Sequence, residues 1–207
     1  MREYTTSNGG CMTFRFDFPP SDPGSLDGYR ALLAFMFEVT VPAGAETVQF
    51  EGAARTCVFD GVVASVATST PLHLSRSPSM IARMGSDDIA VIAYTRGTTR
   101  LATRTVVRDI EPGEILILDL SKPAEITTQH MENYSLLISR QRLQAWSDVL
   151  MDAHGTVIPR GSFQRMLTSF IQSLVAEAPL MHESESPAIA ETALQFIGAC
   201  LRQAHPR

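Results

Sequence analysis

Between residues 47 and 140 the chain is divided into short segments rich in Val, Ile, Thr and Tyr, each closed by turn residues. They read TVQFEGA, TCVFDGVVASVAT, PLHLSRS, MIARMG, DIAVIAYTRG, TTRLATRTVV, EILILDL, AEITTQH and YSLLISR. Segment starts recur at roughly 8–12 residues, the spacing of an antiparallel sandwich or barrel. The turns carry suitable chemistry: GSDD, TRGTT, IEPGE and LSKP. In EILILDL the residues Ile115, Leu116, Ile117 and Leu118 do not alternate with polar ones. A strand apolar on both faces is a strand enclosed on both faces.

From about residue 141 the period changes to that of a helix. RQRLQAWSDVLMDA predicts a short helix. SFQRMLTSFIQSLVAEA places Phe163, Met166, Leu167, Phe170, Ile171, Leu174 and Val175 on one stripe, with Ser162 as the expected N-cap. SPAIAETALQFIGACLRQ opens with Ser186 as N-cap and Pro187 at the first helical position. Before the strands, residues 1–27 are rich in Pro, Gly, Ser and Asp. They predict an irregular leader with at most a short strand at Thr13–Phe18. The expected division is a leader at 1–27, a β-barrel of about nine strands at 28–140 and a helical region at 141–207. The expected class is α+β, a barrel followed by two to three C-terminal helices.

Composition limits the function. Charged residues make up 19% of the chain and the net charge is −5, with no basic run. That balance is unsuited to non-specific nucleic-acid binding, which depends on neutralising phosphates. The three cysteines Cys11, Cys57 and Cys200 are odd in number and far apart, which points to a reducing compartment. Neither a signal-peptide pattern nor an apolar run of transmembrane length is present, so a cytoplasmic location and no membrane partner are expected.

A barrel of this size can hold a metal. Two histidines spaced i, i+2 on one strand would point to the same side, and a third would follow a Pro-Gly turn. No HxH occurs, and after Pro112-Gly113 the corresponding position is Leu116 or a neighbour, all aliphatic. No metal and no cofactor are expected. GxSxG, the P-loop and GxGxxG are also missing. Cys57 and His73 offer a nucleophile pair on paper, but a strand cysteine is more often a small buried hydrophobe. No catalytic residue is assigned.

The polar residues within the strand region are candidates for lining a pocket: Arg55, His73, Arg83, Tyr94, Thr128 and His130. Taken singly, such a residue more often stands on the outer face with its polar end in water; taken together, at least two are expected to face inward. A mostly apolar interior with a few convergent polar groups is what a small-molecule site requires, and the arginines would suit a carboxylate. An apolar helix stripe usually packs within its own chain, yet helix 187–203 is apolar over a wide arc that includes Phe196 and Cys200, so one arc could pack on the barrel or the preceding helix and the other meet a second subunit. Ile171, Leu174, Leu194, Ile197 and Leu201 are the candidate seam.

The run STPLHLSRSPSMIARMGSDDIAVIAYTRG…VVRDIEPGEILILDLSKPAEITTQHMENYSLLISRQRLQAW resembles the effector-binding domain of AraC-type transcriptional regulators. The signs are Arg76-Ser77, DDIAVIAYTRG, PGEILILDLSKP, and the strand LLISRQRL leading into helices. The likeness spans about residues 30–203. It implies a cupin-like barrel that binds a small effector, followed by helices that form a homodimer. Regulators of this kind continue into two helix-turn-helix motifs, whereas this sequence ends at LRQAHPR. DNA contact is expected only through that missing module. The chain is then either an excised regulatory domain or a natural protein without its own DNA reader. Two other readings stay open: a stand-alone cupin enzyme or ligand-binding protein, and an interaction protein that forms mixed dimers with a full-length regulator.

Overall fold

The computed structural model describes residues 2–6, 11–45, 47–150 and 152–204. Parts of the expected leader and helical tail, at 1, 7–10, 151 and 205–207, lie outside the described residues. The described residues form thirteen strands. In chain order these begin β1 (Arg2–Thr6), β2 (Met12–Phe18), β3 (Glu38–Thr40), β4 (Gly52–Phe59), β5 (Val62–Ser69) and β6 (Leu72–Arg76). They continue β7 (Ile89–Arg96), β8 (Thr99–Ala102), β9 (Val107–Ile110), β10 (Ile115–Asp119), β11 (Ala124–Thr128), β12 (Met131–Ile138) and β13 (Thr156–Ile158). Two antiparallel sheets result, one ordered β1-β2-β4-β5-β12-β7-β10-β13 and the other β3-β6-β11-β8-β9.

The two sheets face each other across one core that includes Leu72, Leu74, Leu101, Ile110, Leu116, Leu118 and Ile126. The other face of the larger sheet is covered by helices. These are the 3-10 turn Arg140–Trp146, α3 (Ser147–Leu150), α4 (Ser162–Glu177) and α5 (Ser186–Ala204), counted after α1 (Ser25–Leu33) and α2 (Pro78–Met84). This second core holds Ile115, Ile117, Val91 and Ile138 against Leu167, Ile171 and Ile197. Strand β10 is therefore apolar on both sides because it is packed on both sides. Leu116 and Leu118 enter the barrel, and Ile115 and Ile117 enter the helix layer. Each such aliphatic side chain contributes about 1.5–3 kcal/mol on burial.

Local chemistry explains the boundaries. Strands β4 and β5 form a hairpin through Asp60 and Gly61, whose φ angles of 38° and 78° are those of a two-residue turn matched to strand twist. The segment TCVFDGVVASVAT is thus two strands. Gly198 on α5 lies against Trp146, and a Cβ there would come within 2.1 Å of the indole. Only glycine lets this helix approach so closely.

Several expectations are corrected. Among the described residues of the leader, the strand expected at Thr13–Phe18 forms as β2 and pairs with β4 along its whole length, and a further strand, β1, pairs with β2. The alternation Phe14, Phe16, Phe18 faces one side and outweighs the Pro-Gly-rich surroundings. MIARMG is a helix, α2, because the Ser77 hydroxyl accepts from the Met80 N–H at 3.2 Å and Gly85 closes the C-terminus at φ 65°. The strand count exceeds nine because of the N-terminal hairpin, the split segments and β13. Gly161 rather than Ser162 precedes α4, and the Ser162 hydroxyl instead accepts from Arg165 at 3.1 Å. Ile171, Leu174, Leu194, Ile197 and Leu201 are all buried within this one chain. A stripe that already covers the sheet is not an exposed seam.

Candidate functional site

The inner face of the larger sheet has rows of residues standing opposite one another. One row runs Phe16, Ala54, Ala67, Asn133, Tyr94 on β2, β4, β5, β12 and β7. The next runs Phe14, Thr56, Ser65, Ser135, Ile92. Small residues occupy the middle of both rows, so the facing sheet cannot close onto them. A cavity of ≈ 350 Å³ remains. Leu74, Ile126 and Thr128 of the smaller sheet form its opposite wall, and Leu32, Leu33 and Phe35–Phe37 form the rim. The size lies within the range of small-molecule sites.

No Asp, Glu, Lys, Arg or His is among the lining residues. The polar groups are hydroxyls and one amide. Thr56 and Ser65 hydroxyls bond each other at 3.1 Å. The Thr128 hydroxyl is engaged by the Leu72 backbone, accepting from its N–H at 3.2 Å. The Asn133 amide donates to the Met131 thioether at 3.0 Å, a weak acceptor. Burial pushes the Tyr29 phenol up to about 12 and raises that of Tyr94 as well. Both are protonated donors at neutral pH.

The rim is held by Arg76, whose side chain is only 1% exposed. Its guanidinium donates to the carbonyls of Met36 at 2.6 Å, Ser86 at 3.1 Å and Phe35 at 3.4 Å, and to that of Leu120. Burial lowers its pKa, while Asp88 and Asp119 act the other way. One planar donor fork thus ties three loops together, which a lysine could not do.

A second polar cluster lies where β10 ends. The Asp119 carboxylate takes Arg140 at 2.6 Å and the Ser121 hydroxyl at 2.6 Å. Burial raises its pKa, but these hydrogen bonds prevail and hold it below the ordinary value. The Asp119 N–H donates to His154 Nδ1 at 3.2 Å, and His154 Nε2 lies 3.1 Å from the Pro123 carbonyl. Burial lowers the His154 pKa, and this pair of contacts suits the neutral ring. The cluster closes the turn after β10 and lines no cavity described above.

Of the expected pocket residues, Tyr94 and Thr128 line the cavity. Arg55 lies instead in a shallow groove with Arg15 and Asp17. His73 alternates with buried Leu72 and Leu74, so it faces outward, bonded to Thr127 at 3.0 Å and Glu125 at 3.0 Å. Arg83 is on the surface of α2, paired with Glu38 at 3.2 Å. His130 is exposed in the turn before β12 and contributes to a different surface cleft. The arginines therefore do not meet a ligand in the cavity. Cys57 and His73 sit in different sheets and form no pair, and burial pushes the Cys57 thiol up to about 11. Leu116 is fully buried in the barrel core. Among the described residues no group of three His, Cys, Asp or Glu side chains is placed to hold a metal. Thr56, Ser65, Asn133 and Ser135 went unnoticed. Of these, Ser65 alone carries a signal in the sequence, the small residues at alternate positions 65, 67 and 69 of β5.

A family model described as the AraC-binding-like domain matches residues 34–202. No curated protein sequence matches the chain. Among solved structures, the AraC-like transcriptional activator CuxR superposes with a TM-score of 0.84 at 19% identity, over 91% of this chain and 69% of that one. A cupin superfamily protein from Desulfitobacterium hafniense gives 0.35 at 11% identity, over 42% of this chain and 76% of its own. Ectoine synthase from P. lautus gives 0.33 at 10%, over 42% and 64%. No described helix is long and apolar enough to cross a membrane.

Proposed function

Because the chain belongs to the AraC-binding-like domain family, we propose that it is the small-molecule-sensing and dimerisation part of a transcriptional regulator. It is not an enzyme on this reading. The observation that carries it is the ≈ 350 Å³ cavity, lined without acids, bases or histidine, on the back of the very sheet that α4 and α5 cover. The barrel at 28–140 is the sensor and the helices from 141 onward are the dimerisation and linker region. No DNA contact is assigned to the barrel or to its helix layer.

An effector that binds the barrel better in one arrangement shifts the dimer or interdomain equilibrium by its differential affinity for the two states, and by no more. The helix surface left for a second subunit is the outward one. Met166 is 60% exposed there, and Phe163 and Phe170 pack around Phe196 with ring centroids 5.5 and 5.6 Å apart. Light scattering at tens of micromolar should show a dimer, and Met166→Glu with Phe170→Glu should convert it to monomer. A monomeric parent chain removes the dimerisation half of the proposal. A dimer indifferent to both changes moves its seam off these helices.

A further inference from the structure

Resting on that reading of the cavity as the sensing site, its wall chemistry narrows the ligand. We propose that the ligand is an uncharged, mostly apolar molecule with one hydrogen-bonding end, such as an alcohol, ketone or ester on a hydrocarbon or aromatic body.

Three observations carry this. First, no ionic side chain lines the cavity, and Arg55, Arg83 and His73 lie elsewhere. A carboxylate or ammonium group entering it would lose its water and meet no counter-charge, which is among the costliest events in a protein interior. Second, most of the polar groups are gathered on one wall. Thr56, Ser65 and Ser135 stand side by side on β4, β5 and β12, with Asn133 on β12 two residues before Ser135. The rest of the enclosure is aromatic and aliphatic apart from Thr128, whose hydroxyl is engaged by the Leu72 backbone, and the phenols of Tyr29 and Tyr94, which interact with Ser69 and Thr99. A sugar, with hydroxyls around its whole ring, would leave several unpaired against that surface. Third, among the described residues the Asn133 amide donates to a thioether alone. A hydroxyl or carbonyl oxygen is a better acceptor. An oxygen placed beside Asn133 and Ser135 puts the apolar body against Phe14, Phe16, Leu33 and Met36.

The test uses matched probes that differ only in charge: decanol against decanoate, and phenylpropanol against phenylpropanoate. Each is titrated into the full chain by calorimetry near pH 8. The alcohol of each pair should bind at least about tenfold more tightly than its acid. Ala67→Leu, which fills the floor, should abolish binding of the alcohols. Asn133→Leu should weaken the alcohols about tenfold while leaving the matching hydrocarbon unaffected. If an acid binds as well as its alcohol and Ala67→Leu abolishes both, the ligand class is wrong and the cavity remains the sensing site. If neither alcohol binds, or if binding survives Ala67→Leu in a folded protein, both this inference and the reading beneath it fall.

Discussion

On its helix side the larger sheet presents Ile115, Ile117, Val91 and Ile138, all buried against α4 and α5. On its inner side strands β4, β5 and β12 of the same sheet present Ala54, Ala67, Ser65 and Ser135 around open space. One face is filled and the other is deliberately underfilled. Stability is thus concentrated on the back of the sheet, while the front retains volume that another molecule can occupy. A packed face also has little freedom to vary, because interiors at close-packed density register even single methylene changes.

The contrast can be broken by substitution. The largest effect is expected for Ile171→Ala, which should lower stability by about 2–5 kcal/mol in urea unfolding because the helix layer cannot collapse into the gap. Ala67→Leu on the other face should leave stability unchanged or raise it by up to about 2 kcal/mol, since it fills existing space. Equal losses for the two changes would show that the faces are packed alike. Next comes Arg76→Met, which leaves the carbonyls of Phe35, Met36, Ser86 and Leu120 without their donor. It should cost about 3 kcal/mol. It should also speed amide hydrogen exchange across the rim at 35–37, an effect that Arg76→Lys repairs only in part. Unchanged exchange there would mean that the rim is held by other contacts.

The smallest effect is that of pH. The folded pKa of His154 lies below its ordinary value of 6.5, so the neutral ring is the stabilised form. Its contribution is fully present above pH 6.5 and is lost as pH falls through the folded pKa. The Asp119 pKa lies below 3.8, so its contribution begins to fade only under more acid conditions. Thermal midpoints should therefore decline in two stages on acidification. His154→Asn should remove the first stage, and an unchanged profile would show that the ring does not govern it.

Much of the architecture was legible in the sequence. Most of the regular segments between 47 and 140, the doubly apolar β10 and the two long amphipathic helices recur in the fold, whereas TVQF at 47–50 forms no strand and MIARM is helical. Helix α2 reads as a strand in the sequence because MIARM is short and mostly apolar, while the decisive signals, Ser77-Pro78 and Gly85, flank it. The helix stripe was legible as apolar, but periodicity cannot say whether its partner belongs to the same chain; here Ile171 and Ile197 meet β-sheet. The cavity was the least legible feature. Long polar side chains such as Arg55 and His73 attract notice and lie outside it, whereas the space is created by what Ala54, Ala67 and Ser65 lack. Absent volume has no motif. Arg76-Ser77 was noticed as a family sign, and its work, tying the rim and capping α2, emerges only in three dimensions.

Strand β10 and its neighbours form a partition one backbone thick. Leu116 and Leu118 touch one compartment and Ile115 and Ile117 the other. Whatever enters the barrel is therefore a single pleat away from the layer that carries the helices. On the proposed sensing role, a guest that altered the sheet's coiling would shift the seat of both long helices in the same motion, with no hinge or linker between message and reader.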